Sequence, residues 1–252
     1  MNKPVAISLE KEKIVMFVWQ HILLLVSLFI MTLGVALCVR SALGSSVIST
    51  IPFVMSLAGA ADLAPALSIG EYTYYMNFLL VGLQILVLRK KFEAVQLFQL
   101  LIGFFFGFLL DVNMWLTSMI DCTSLLMKII VQLAGCIILA VGISFEIRCG
   151  SVTMPGEGFP VALSRAFGLP FAKAKIGVDI SLVAIAVVLG YVYFGTWIWN
   201  VVGIGTLMAM ILVGSLVRFL DPHMEWFSRL VSYRPGFRRY IYGLARFLYP
   251  NK

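Results

Sequence analysis

Two arginines give the first hint of chemistry in this chain. Arg40 and Arg148 each stand six residues after a glycine, Gly34 and Gly142, near the end of a long apolar run, and each precedes a proline by twelve residues, Pro52 and Pro160. A guanidinium placed there has two uses: it satisfies the carbonyl end of the preceding helix, or it grips an anionic group of a solute. Each arginine opens a polar stretch of small residues, 41–46 in one case and 149–158 in the other. Gly44, Ser45 and Ser46 in the first stretch, and Thr153, Gly156, Glu157 and Gly158 in the second, are the groups these stretches offer a ligand. Backbone that leaves helical geometry at membrane depth is tolerable only inside protein or along a wet cavity, so matched interruptions predict a cavity with those residues in its wall.

The ionisable residues inside apolar runs add a second kind of chemistry. Charge at membrane depth costs from about 2.5 kcal/mol upward, so such groups are paired or functional. Asp179 lies a few residues inside an apolar run after Lys175. It reads as a carboxylate that takes up and releases protons to couple them to transport, against the plainer reading of an ion pair at a helix end. Glu157 lies in the middle of the second interruption, where the first carries Ser49, an asymmetry expected if one copy kept the chemistry. Glu146 and Arg148 are two apart, so only unwound backbone would bring them together. His21, alone in the first run, reads as a packed or interfacial residue. Cys38, Cys122, Cys136 and Cys149 form no C-x-x-C pair, and with two histidines in the chain no metal or haem site is expected. Phosphate-loop, nucleophile-elbow and H-E-x-x-H patterns are absent from the sequence. No cofactor and no enzymatic activity are expected.

These residues must be positioned by membrane helices. Of 252 residues, 61% are hydrophobic and 12% charged, with a mean hydropathy of +1.00. That composition excludes an ordinary soluble domain. Six runs are long enough to span: about 15–39, 72–88, 94–111, 124–146, 174–193 and 198–220. The first reads as a retained span. Between the first and second, and between the fourth and fifth, lie short apolar stretches, Ile48 to Ala60 and Phe159 to Phe167, each a re-entrant half-helix by length. If both begin at the interruptions, their N-termini point inward from opposite faces and favour an anion or a carbonyl.

The bias of Lys and Arg toward the cytoplasm places both termini inside, with Arg89–Lys91, Arg148, Arg165, Lys173 and Lys175, and leaves Arg40, Asp62, Glu71, Asp111 and Asp121 outside. Three spans per half then make the second copy inverted relative to the first. Asn77 to Val81 aligns with Asp179 to Val183, and Leu100 with Gly107 matches Leu207 with Gly214. The predicted fold is therefore all-α, a polytopic membrane protein of six helices in a 3+3 inverted repeat. A cytoplasmic tail (1–14) precedes a first repeat (15–122) and a second (123–221). Residues 222–252 alternate basic and aromatic side chains and predict an amphipathic cytoplasmic tail on the anionic leaflet, which supplies much of the net charge of +7. Because the tail follows a span directly, its arginines are explained by orientation and nucleic acid is not an expected partner.

Gly34–Gly44 (GVALCVRSALG), Gly142–Gly158 (GISFEIRCGSVTMPGEG), Asp179, and Val202-Gly-Ile-Gly-Thr206 with Gly214 together resemble the YczE/YyaS/YitT family of bacterial integral membrane proteins, over residues 20 to 221. The resemblance implies a compact protein of the bacterial inner membrane with a transporter's role and names no cargo. The expectation is a secondary transporter of a small anionic or amphipathic organic solute, working by alternating access with proton coupling, as a monomer or a homodimer. Two alternatives stay open. A channel would show flux that neither saturates nor follows a proton gradient, and a scaffold for a partner protein would tolerate loss of both carboxylates.

Overall fold

The computed structural model describes residues 3–150 and 152–232, with side chains from residue 15 onward. Among these residues the chain is helical throughout, without strands. The long helices are α1 (Lys3–Arg40), α2 (Thr50–Ala60), α3 (Ile69–Leu88), α4 (Phe98–Leu116), α5 (Leu125–Arg148), α6 (Pro155–Phe167), α7 (Phe171–Phe194) and α8 (Ile204–Leu220), and a short α9 (Glu225–Ser232) follows. Five segments within α1, α4, α5, α7 and α8 are long and apolar enough to cross a membrane, as a multi-pass membrane protein requires. α3 carries Glu71, Asn77 and Gln84 and is less apolar, though its 20 residues would extend about 30 Å.

Local chemistry explains most of the ends. Ser68 and Glu71 form a reciprocal capping box at the start of α3, and Ser124 accepts the Met127 N–H at the start of α5. Pro155 opens α6, where its missing N–H costs nothing, so that helix begins four residues earlier than the apolar pattern alone predicts. Gly168 and Gly195, both left-handed with φ of 66°, end α6 and α7. The last span starts at Ile204 rather than near 198, because Gly203 is its N-cap and the preceding residues turn.

The centre of the molecule is the crossing of α1 and α5. Gly34 lies on the backbone of Leu139 and Gly135, and Gly142 lies on the backbone of Met31, so that a methyl group at either would collide with main chain. Small residues let two helices approach this closely where lipid supplies no hydrophobic drive. α4 packs on α1 and α8 on α5, while α3 packs on α2, α4 and α6, and α7 packs on α2 and α6. Polar bridges tie these helices in the interior. Gln132 accepts from Ser41 Oγ (2.6 Å) and donates to the Gly205 carbonyl (2.8 Å), and Asn113 donates to Thr32 Oγ1 (2.8 Å).

The pairs α3/α4 and α7/α8 differ sharply. Gly70 and Gly107 lie carbonyl against Cα, with no room for a methyl at either. Asp111 accepts from Ser68 Oγ (2.6 Å) and the Gly70 N–H (2.8 Å), which locks the start of α3 to α4. On α8, Gly214 has open space where a side chain would project, and it lines a cavity together with Lys175, Ile176 and Asp179 of α7. The space between those two helices is a cavity.

The described part of the tail packs its apolar face on protein. Phe227 of α9 is buried and stacks on Phe145 of α5 with ring centroids 4.1 Å apart, and the Leu230 carbonyl accepts from Trp19 Nε1 (2.8 Å). α9 packs on α1 and α5 because its apolar face has protein to cover. Arg234, Arg238, Arg239, Tyr240, Tyr242, Arg246, Phe247 and Tyr249 lie outside the described residues.

Candidate functional site

A cavity of about 640 Å³ is bounded by both interruptions and by α5, α7 and α8. Ser46, Val47 and Ile48 come from the first interruption, Thr153, Met154 and Glu157 from the second, and Lys175 and Asp179 from α7. A side chain at Gly156 would strike Ile48 Cδ1, so the start of α6 meets the 3-10 turn (Val47–Ser49) that leads into α2. The two short helices therefore converge with their N-terminal ends on one place.

The chemistry of the cavity is an ion triad. Lys175 Nζ lies 3.0 Å from Glu157 Oε1 and 3.1 Å from Asp179 Oδ1. Lys175 and Asp179 are one helical turn apart and so share a face, while Glu157 reaches them from the first turn of α6. All three side chains are partly exposed, at 28% for lysine, 26% for glutamate and 14% for aspartate, which leaves them open to the cavity without full solvation. Two carboxylates share one ammonium, so the triad carries one uncompensated negative charge when all three are ionised.

Glu146 belongs to the same cavity. It is 3% exposed, and its Oε1 accepts the Met154 N–H at 2.8 Å, which supplies an acceptor at the N-terminal end of α6. Its Oε2 has no partner. The sequence reading paired this residue only with Arg148 and missed the role. A lone acid inside the run ISFEIR, eight residues before the N-cap of a half-helix, is the signal that could have found it.

The remaining predicted binding residues divide into those that line the cavity and those that hold the frame. Ser46 and Thr153 line it with Glu157 and Asp179. Arg40 instead donates to the Met114 carbonyl at the end of α4 (2.6 Å), a cation at a helix C-terminus that belongs to a neighbour and not to its own helix. Arg148 donates to Ser228 Oγ (2.7 Å), to the Asp221 carbonyl and to Asp221 Oδ1 (2.6 Å), which clamps α9 to the end of α5. Gly44, with φ of 125°, packs on Gly203 and Thr206, and Ser45 bonds the Val201 carbonyl through its N–H (3.0 Å) and its hydroxyl (3.1 Å). Gly156 is spent on Ile48, and Gly158 packs on Gln99, which accepts from Gln84 (2.9 Å). His21 bonds the Phe17 carbonyl (2.7 Å) and packs on the rings of Phe17 and Phe98, as a packed residue would. A more open groove of about 890 Å³ runs past it, lined by His21 and Tyr74 among mostly apolar residues.

Apolar spanning helices around a charged central cavity define a multi-pass membrane protein with an internal polar site. Residues 18–222 match a family of unknown function (DUF6198), and the chain belongs to that family. No curated protein and no solved structure matches it.

Proposed function

We propose that the protein is a secondary transporter that moves a small amphipathic organic solute by alternating access, with proton coupling at Glu157 and Asp179. The observation that carries this reading is the cavity itself, where two interrupted helices converge and a lysine shared by two carboxylates stands inside otherwise apolar walls. Protonation of either carboxylate would free Lys175 from one partner, so proton binding and solute binding would compete for the same three side chains. α3 is the sixth span in this account, both termini are cytoplasmic, and the membrane is the bacterial inner membrane, as the resemblance to the YczE/YyaS/YitT family implies.

The proposal includes an inverted repeat of the two halves, which the packing of the helices supports. α1 and α5, α2 and α6, α3 and α7, and α4 and α8 are the matched pairs. The packing of α1 on α4 has its counterpart in α5 on α8, that of α2 on α3 in α6 on α7, and that of α3 on α6 in α7 on α2. Ser68 and Pro170 are the matched N-caps of α3 and α7. The register that sets Asn77 against Asp179 also sets Thr73 against Lys175, and Ser49 stands against Glu157. Ser49, Thr73 and Asn77 are all buried. One half thus carries the neutral version of the triad and the other the charged one.

The test is solute flux in proteoliposomes with and without an imposed proton gradient, comparing the wild type with Asp179→Asn and Glu157→Gln. Saturable, gradient-dependent movement that both variants abolish supports the proposal. Flux that neither saturates nor responds to the gradient means a channel, and flux unchanged in both variants removes the coupling roles.

A further inference from the structure

The geometry points to a lateral entrance: the cavity is loaded from the bilayer through the gap between α7 and α8, and its ligand is a membrane-dissolved amphiphile with a cationic, ammonium-type head. This rests on the transporter reading and adds the route and the substrate class.

The route follows from the exposed residues that line the cavity. Ile147 on α5, Ile176 on α7 and Gly214 on α8 all line it, and all three are exposed residues of helices apolar enough to span. Apart from Arg218, that rim is apolar, and apolar rim residues on spanning helices open toward acyl chains, not toward water. Gly214 has no atom within contact distance of a projected side chain, whereas its counterpart Gly107 is pressed against Gly70. Two substitutions of chemistry explain why one pair is sealed and the other is not. Asp111 bonds the capped start of α3, while Arg218 stands at the matched position on α8 and Pro170, which has no side-chain oxygen, stands at the matched cap of α7. A cation beside the positive end of a helix does not hold it shut.

The sign of the head follows from the charges that face the cavity. Glu146 on α5, Glu157 on α6 and Asp179 on α7 are acidic, while Lys175 on α7 and Arg218 on α8 are basic. Arg218 is exposed and sits at the rim, and Lys175 is already held by two carboxylates, so the interior offers acceptors that lack a cation. The unpartnered Oε2 of Glu146, on a side chain buried to 3% exposure, is a further acceptor beside that site. An ammonium entering among these carboxylates completes the charge balance, and its apolar body lies along Ile176, Val213 and Val217. The anionic solute expected from the helix N-termini fits this balance worse, because the N-terminal end of α6 is already occupied by Glu146.

The test uses the full-length protein in proteoliposomes with three fluorescent probes of one design: a long-chain alkylammonium, an alkylsulfonate of equal chain length, and a short water-soluble ammonium. The expected result is saturable binding and flux of the long ammonium, with the sulfonate and the short ammonium at least tenfold weaker. Gly214→Trp, whose Cβ would meet no neighbour, places its ring at the gap and is expected to weaken the long ammonium about tenfold, while Gly82→Trp, at another open helical glycine, leaves it unchanged. Glu157→Gln weakens the ammonium about tenfold and narrows its advantage over the sulfonate. A sulfonate that binds as well as the ammonium, or a Gly214→Trp variant with wild-type flux, overturns the inference. Transport of the short probe that is insensitive to Gly214→Trp sinks the lateral route and leaves the transporter standing. Selective binding of the long ammonium with no flux supports the site and sinks the transporter reading.

Discussion

Replacing Lys175 with Met is the sharpest perturbation of the site. The ammonium lies 3.0 and 3.1 Å from two carboxylates that have no other basic partner among the described residues. Methionine keeps the length and apolar body of the side chain, so the loss is electrostatic. Removing one member of a buried ion pair costs about 3–5 kcal/mol, and side chains that stay 14–28% exposed recover some hydration, which puts the cost near the lower end, about 3 kcal/mol. For a chain of this size about 1 kcal/mol moves the midpoint by about 2–4 °C, so a drop of roughly 6–12 °C is expected. The assay is thermal unfolding of the purified protein in detergent, followed by tryptophan fluorescence. The triple variant Lys175→Met, Glu157→Gln, Asp179→Asn removes the stranded charges as well and is expected to recover most of the loss, because the three side chains act as a unit. A single variant as stable as the wild type, or a triple variant no better than the single, would refute the claim that these groups neutralise one another.

Three further outcomes follow from the frame around the cavity. Gly34→Leu drives a side chain into the backbone of α5, so a loss beyond the usual 1–3 kcal/mol of about one overpacked site is expected, read as loss of the monodisperse peak in size-exclusion chromatography. Gln132→Leu leaves the Ser41 hydroxyl short of one partner and the Gly205 carbonyl without its donor, which predicts destabilisation of about 2–3 kcal/mol in the same unfolding assay, with Gln132→Glu failing to rescue because it cannot donate to the carbonyl when ionised. Arg148→Lys breaks the fork that holds Ser228 and Asp221 together, so faster amide exchange across α9 is expected while the exchange of α5 stays unchanged.

The course of the chain was largely legible because membrane helices are written as long apolar runs, and the boundaries that moved did so at Pro155 and Gly203, where a cap outweighed hydropathy. Both interruptions and the carboxylates Glu157 and Asp179 were legible for the same reason, since polar residues stand out in an apolar run. The partners were harder. The ion pair of Lys175 with Asp179 was legible as the plainer reading of that aspartate, four residues on, but that Glu157 joins it depends on the angle between α6 and α7. Arg40 and Arg148 drew attention by their matched spacing, yet that spacing marks equivalent helix ends, where carbonyl groups need donors. The open gap between α7 and α8 had no legible sign at all. Gly107 and Gly214 look alike in sequence, and whether a glycine is pressed against a neighbour or faces open space depends on where the next helix lies.

The central claim is that the two halves exchange open and closed states, and paired distance measurements by electron spin resonance test it directly. Spin labels at Gly177→Cys and Ser215→Cys report the α7–α8 gap, and labels at the matched positions Tyr75→Cys and Phe108→Cys report α3–α4; all four sites are exposed and the native cysteines are buried. In liposomes, shifting the pH or adding a transported solute is expected to shorten the α7–α8 distance while the α3–α4 distance lengthens, with both forms present at intermediate conditions. A single α7–α8 distance, unchanged under conditions in which solute moves, would contradict alternating access and the account built on it.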